Sequence, residues 1–101
     1  MYTYNMEFEY NSEKSAANLK KHGLSLDQAR RLWEVPSVVV KARTVGEARF
    51  MIIGRLGGKW FSCIYTMRGE TLRLISARRS HRKEVRLYHE VIQKIHPSGG
   101  V

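Results

Sequence analysis

At 101 residues, with 18 Lys and Arg against 9 Asp and Glu for a formal net charge of +9, the chain has room for one domain and one modest core. Its 43% hydrophobic and 27% charged content argues against disorder, and no run of about 18 apolar residues offers a membrane span. The charge points to an anionic partner (nucleic acid, acidic protein or membrane surface) without choosing among them.

The elements can be read in chain order. Residues 4–10 alternate with period two and predict a short first strand. Ser12 is placed to cap a helix over 13–22, with Glu13 in its first turn and Gly23 ending it. Ser25 and Gln28 predict a capping box for a second helix over 26–34, whose apolar face is Leu26, Ala29, Leu32 and Trp33 and which Pro36 closes. Four strands follow, around 38–40, 49–56, 60–66 and 72–77. Gly57-Gly58 and Arg68-Gly69 mark hairpins, so these strands are expected to form an antiparallel meander. The last helix is predicted over 81–95, with Ser80 as cap and Val85, Tyr88, Val91, Ile92 and Ile95 turned inward. Arg82, Arg86, His89 and Gln93 share another side, facing solvent or a partner. The fold class is α+β: a short N-terminal strand and helical hairpin, a four-stranded antiparallel meander and a C-terminal helix. A single domain spans 1–95, with a frayed tail at 96–101.

Cys63 is the single cysteine, so an internal disulfide is excluded. It lies in a strand-like run and reads as a packed, reduced thiol. Residues 1–10 lack a basic segment followed by an apolar one, and a cytoplasmic location is expected.

No Cys/His spacing suggests zinc, no glycine-rich loop between a strand and a helix suggests nucleotide binding, and neither metal nor cofactor is expected. What stands out is the stretch from Ile75 to Tyr88, where an apolar strand turns into a cationic helix. Between Arg78 and Lys94, six Lys and Arg face two acids, Glu84 and Glu90. Cations with a few proton-transfer groups suit metal-independent RNA cleavage. The ribose 2′-hydroxyl attacks the adjacent phosphate, a base takes its proton, and arginine forks stabilise the charge that develops. The candidate groups are Lys21, His22, Glu47, Arg49, Arg55, Arg78, Arg79, His81 and Tyr88, with His22, Glu47, Arg49, Arg78, Arg79 and Tyr88 expected in the catalytic roles. Glu47 and Arg49 would share a strand face. In a regular last strand, Arg73 and Arg79 take one face and Arg78 the other.

The chain resembles the BrnT family of bacterial toxins, from residues 8 to 90. The motifs are Phe8-Glu9-Tyr10-Asn11, Ala17 through Ser25 with its Lys21-His22-Gly23, Gly46-Glu47-Ala48-Arg49-Phe50, Ile53-Gly54-Arg55, and Ile75 through Arg79 ahead of the Glu84/Tyr88 helix. The resemblance implies a RelE-like fold, RNA cleavage that arrests translation, and a ribbon-helix-helix antitoxin that binds operator DNA together with the toxin. Carried over, the family's site residues fall on Lys21 and His22, Glu47 and Arg49, Arg55, Ser76 to Arg79, and Tyr88. Lys20, Lys21, Arg55, Arg82 and Arg86 are then the expected RNA-binding cations, and Trp33 and Trp60, taken as exposed, the expected antitoxin contacts. Tyr10-Asn11 departs from the aromatic–acid pair common at the first strand's end, and the loop at 42–46 is short. The other class open to the sequence is a non-catalytic basic binding module, or an inactivated toxin serving in a repressor complex.

Overall fold

The computed structural model describes residues 6–95; Tyr4 and Asn5 of the expected first strand, and the tail at 96–101, lie outside them. The order is β1 (Glu7–Glu9), α1 (Ser12–His22), α2 (Leu26–Ala29) running into a 3₁₀ turn (Arg30–Glu34), β2 (Ser37–Ala42), β3 (Arg49–Leu56), β4 (Lys59–Arg68), β5 (Thr71–Arg79) and α3 (Arg82–Ile95). The class is α+β. Its meander is present as β2 to β5, but the sheet has five strands and is mixed, in the order β1-β5-β4-β3-β2. The added pairing is β1 parallel to β5, with Phe8 opposite Leu72. It carries the Phe8 ring to 5.1 Å from Trp33, over the core.

Local chemistry sets the boundaries. Gly57 and Gly58 both have positive φ, at 55° and 80°, as a two-residue turn between Leu56 and Lys59 requires. The cap of α1 is Asn11, whose side chain accepts from the Lys14 N–H, and Ser12 is already helical. Gly23, at φ 76°, closes α1 by donating its N–H to the Leu19 carbonyl. The Ser25/Gln28 capping box forms, but the helix it starts tightens to 3₁₀ after Ala29. Residues three apart line up in that form, which stacks Ala29 over Leu32 on the way to Pro36.

The helical layer covers one face of the sheet. Leu26, Ala29 and Leu32 are fully buried there against Ile52, Phe61, Cys63, Tyr65, Leu72, Leu74 and Ala77. Burial pushes the Cys63 thiol up to about 12, so it is an inert packing group. Among the described residues α3 covers the other face, against β2 and β3. Its inner side differs from the expected one. Glu84 is its one buried residue, Leu87 joins Val85, Tyr88, Val91 and Ile92 as half-buried, and Ile95 is exposed.

A bulge in β5 decides which side chains share a face. Ile64 pairs with Ser76 but Tyr65 pairs with Leu74, so Ile75 is an extra residue in β5. Leu74, Ala77 and Arg79 therefore face the α1 side. Arg73 shares the opposite face with Arg78, not with Arg79 as regular alternation would have it, and pairs with Glu9 at 3.3 Å.

Past Arg73, no strand among the described residues lies on the β1 side of β5. Instead Asn18 of α1 serves that edge. Its Nδ2 donates to the carbonyls of Ala77 (2.6 Å) and Leu24 (2.7 Å), and its Oδ1 accepts the Ala77 N–H at 3.3 Å. Asn18→Ala leaves these buried backbone groups unpaired and is expected to cost about 2–3 kcal/mol in urea unfolding. A loss under about 0.5 kcal/mol would show that water replaces the amide.

Candidate active site

Arg78 and Arg79 end β5 pointing to opposite sides, and their surroundings differ. Toward α3, both terminal nitrogens of Arg78 donate to the Glu84 carboxylate at 2.7 Å. Glu84 also accepts from Ser62 Oγ at 3.0 Å and from the His81 N–H at 2.9 Å. Burial alone would raise this carboxyl. The Arg78 fork, the His81 N–H and the Ser62 hydroxyl outweigh burial and hold it at about 2. The same hydrogen bonds raise Arg78. Ser80 does not cap α3; its hydroxyl meets Ser62 Oγ at 2.7 Å, while His81, at the helix start, bonds Glu84. Arg78 thus fastens the strand to the helix.

Arg79 is exposed and lies over the Phe61 ring, 5.7 Å from its centroid. Among the described residues it has no carboxylate partner. Beside this segment runs the last turn of α1. Lys21 and His22 line, with Asn18, Ile75 and Ser76, a shallow cavity of about 230 Å³. His22 is one helical turn, about 6 Å, from Asn18, and Arg79 is two residues, about 7 Å, from Ala77. The Asn18–Ala77 joint therefore sets both groups beside one edge of the sheet.

A second cluster forms where the β3–β4 hairpin meets α3. Trp60 packs edge-to-face on Tyr88 (4.7 Å between centroids) and His89 (5.5 Å), and the Arg55 guanidinium lies 5.8 Å from the Trp60 ring. Trp60 neighbours Ser80 through the Ser80 N–H to Trp60 carbonyl bond at 3.0 Å, so this cluster flanks the same end of β5. Arg82 and Arg86 are exposed on α3.

Other expected groups lie elsewhere. Glu47 is outside β3, in the exposed loop where Thr44 Oγ1 donates to its carbonyl, so it does not share a strand face with Arg49. Arg49 is half-buried, and its Nε is buried without a hydrogen-bond partner. Counted along β4, Arg49 is level with Thr66 and Arg79 with Phe61, on opposite faces and about 17 Å apart along the strands. Glu47 and Arg49 are therefore not brought to Arg79. Trp33 is not exposed: it is wedged between Phe8 and Tyr65. Trp60 is half-buried. Lys20 is exposed at the end of α1.

Glu84, Ser62 and Asn18 had not been singled out as positioning groups. For Glu84 a signal existed: an acid three residues after His81 and one helical turn before Leu87 and Tyr88 is poorly placed for solvent. Among the described residues no three His, Cys, Asp or Glu side chains gather as a metal site, and no helix is long and apolar enough to cross a membrane.

Residues 10–84 match the family described as "Ribonuclease toxin, BrnT, of type II toxin-antitoxin system". The chain belongs to the BrnT family. A search of curated proteins found no match. The BrnT match runs from the end of β1 to Glu84. It thus takes in the Arg78–Glu84 fastener, Arg79 and the α1 edge, while Arg86, Tyr88 and His89 lie beyond it. Membership makes this a ribonuclease toxin of a type II toxin–antitoxin system, with RNA as substrate class and an antitoxin as partner.

Proposed function

We infer that the chain cuts RNA by transesterification without a metal ion, toward the end of β5 that carries Arg79, on the strand against which α1 packs. The observation that carries this reading is the exposed Arg79 guanidinium, free of any carboxylate partner among the described residues, at the end of a strand anchored by Arg78–Glu84 and by Asn18. A fork on such a support donates two hydrogen bonds to phosphate oxygens with little ordering cost. His22 is the proton acceptor best placed for the 2′-hydroxyl, and Lys21 adds charge beside it. The 2′-oxygen bonds to phosphorus as the P–O5′ bond breaks, and the departing oxygen takes a proton. The products are a 2′,3′-cyclic phosphate and a 5′-hydroxyl. Trp60, Tyr88, His89 and Arg55 offer a stacking surface for a neighbouring base, with Arg82 and Arg86 on the backbone.

On this reading the protein acts in the cytoplasm and arrests translation. A ribbon-helix-helix antitoxin neutralises it, and the pair binds operator DNA. The test is incubation of the purified chain, in EDTA, with total RNA and separately with translating ribosomes. Discrete fragments ending in 2′,3′-cyclic phosphate are expected. Intact RNA in both reactions would leave a basic binding module instead.

A further inference from the structure

The two sides of the sheet treat their edges differently. The β5 edge beyond β1 is served by Asn18. The β2 edge is open: among the described residues no strand lies beyond it. It is six residues long, Ser-Val-Val-Val-Lys-Ala, with Val39 50% exposed at its centre. Such an edge is a template for strand pairing, and only Lys41 blunts it.

A groove of about 670 Å³ runs alongside, between β2 and α3. Met51, Ile64 and Leu87 supply apolar lining, and Arg43, Lys83 and Arg86 supply charge. Arg78 and Glu84, also in the lining, neutralise each other, so Glu90 is the one acid left to oppose these cations. We propose that an extended acidic segment of the antitoxin adds to β2 as a sixth strand, which rests on the toxin–antitoxin reading above. Its alternate side chains would enter the groove as carboxylates and small apolar groups, and the others would cover Val39 and meet Lys41. A nucleic acid cannot continue the β ladder. A second copy of the chain brings another +9 to the same edge and is disfavoured by charge.

The experiment uses the full chain and the antitoxin encoded beside its gene. Hydrogen exchange is read over residues 37–42 in the free and bound states, and binding is measured for Val39→Glu and Lys41→Glu, both at exposed positions outside the cleavage site. On binding, the β2 amides should gain protection. Each variant should cut RNA like the unmodified chain, yet bind the antitoxin about 100-fold more weakly or worse and escape neutralisation. Unchanged β2 exchange in the complex, or unimpaired binding by both variants, overturns the proposal. So does a free chain that already protects β2 by dimerising. If the unmodified chain cuts no RNA, the catalytic reading fails by itself, because protection of β2 by the antitoxin is scored separately.

Discussion

Arg79→Ala is expected to slow RNA cleavage about 10²-fold or more and to abolish growth arrest, while unfolding stability stays within about 0.5 kcal/mol of the parent. The guanidinium is exposed, lies over the Phe61 ring and has no ion-pair partner among the described residues, so little of the fold depends on it. Its expected contribution appears only when phosphate charge builds up in the transition state. Arg79→Lys keeps the charge but not the fork, and should recover only part of the rate. Single-turnover cleavage of a defined RNA, with circular dichroism on the same preparations, separates the two effects. Near-normal cutting by folded Arg79→Ala protein would remove this residue from the site and return attention to the Arg55–Trp60–Tyr88 cluster.

Its neighbour should behave in the opposite way. Arg78→Ala strands a buried carboxylate and is expected to cost about 3–5 kcal/mol of folding stability. Removing both partners, in Arg78→Met/Glu84→Leu, should restore much of the loss, since no charge is left without its counterion. The same pair predicts an acid limb. Glu84 sits at about 2 in the folded chain against an ordinary value of 4.5, so its stabilisation is present above about 4.5 and is lost as pH falls toward 2. The shift corresponds to about 3 kcal/mol. Urea unfolding at pH 7, 4 and 2.5 measures it, and Glu84→Gln should flatten the decline. An unchanged acid limb in Glu84→Gln would place the linkage on other carboxylates.

The elements legible in the sequence are those fixed by local chemistry. Gly57-Gly58 announces its turn because two successive positive φ angles demand glycine, and Ser25/Gln28 announces a helix start because the box is closed within four residues. Cys63 reads correctly because the apolar, strand-like run around it belongs to a strand buried on both faces. What could not be read depends on distant partners. Nothing near Phe8 says that β1 will lie parallel to β5, 64 residues away. Ile75 looks like any apolar strand residue, and only its missing partner in β4 reveals it as extra. With the phase of β5 unknown, the roles of Arg78 and Arg79 could not be told apart. The distance from Glu47 and Arg49 to Arg79 likewise depends on strand direction, which motif order along the chain does not express.

Because Ile75 has no opposite number, the parity of β5 is odd between Leu74 and Ala77. Excising Ile75 would straighten the strand and leave every later side chain on its present side. Flattening the bulge with Ile75 kept in line would instead exchange the two guanidinium groups, swinging the fastener into solvent and the exposed fork against Glu84. One residue without an opposite number thus decides which arginine is tied to Glu84 and which is left outside.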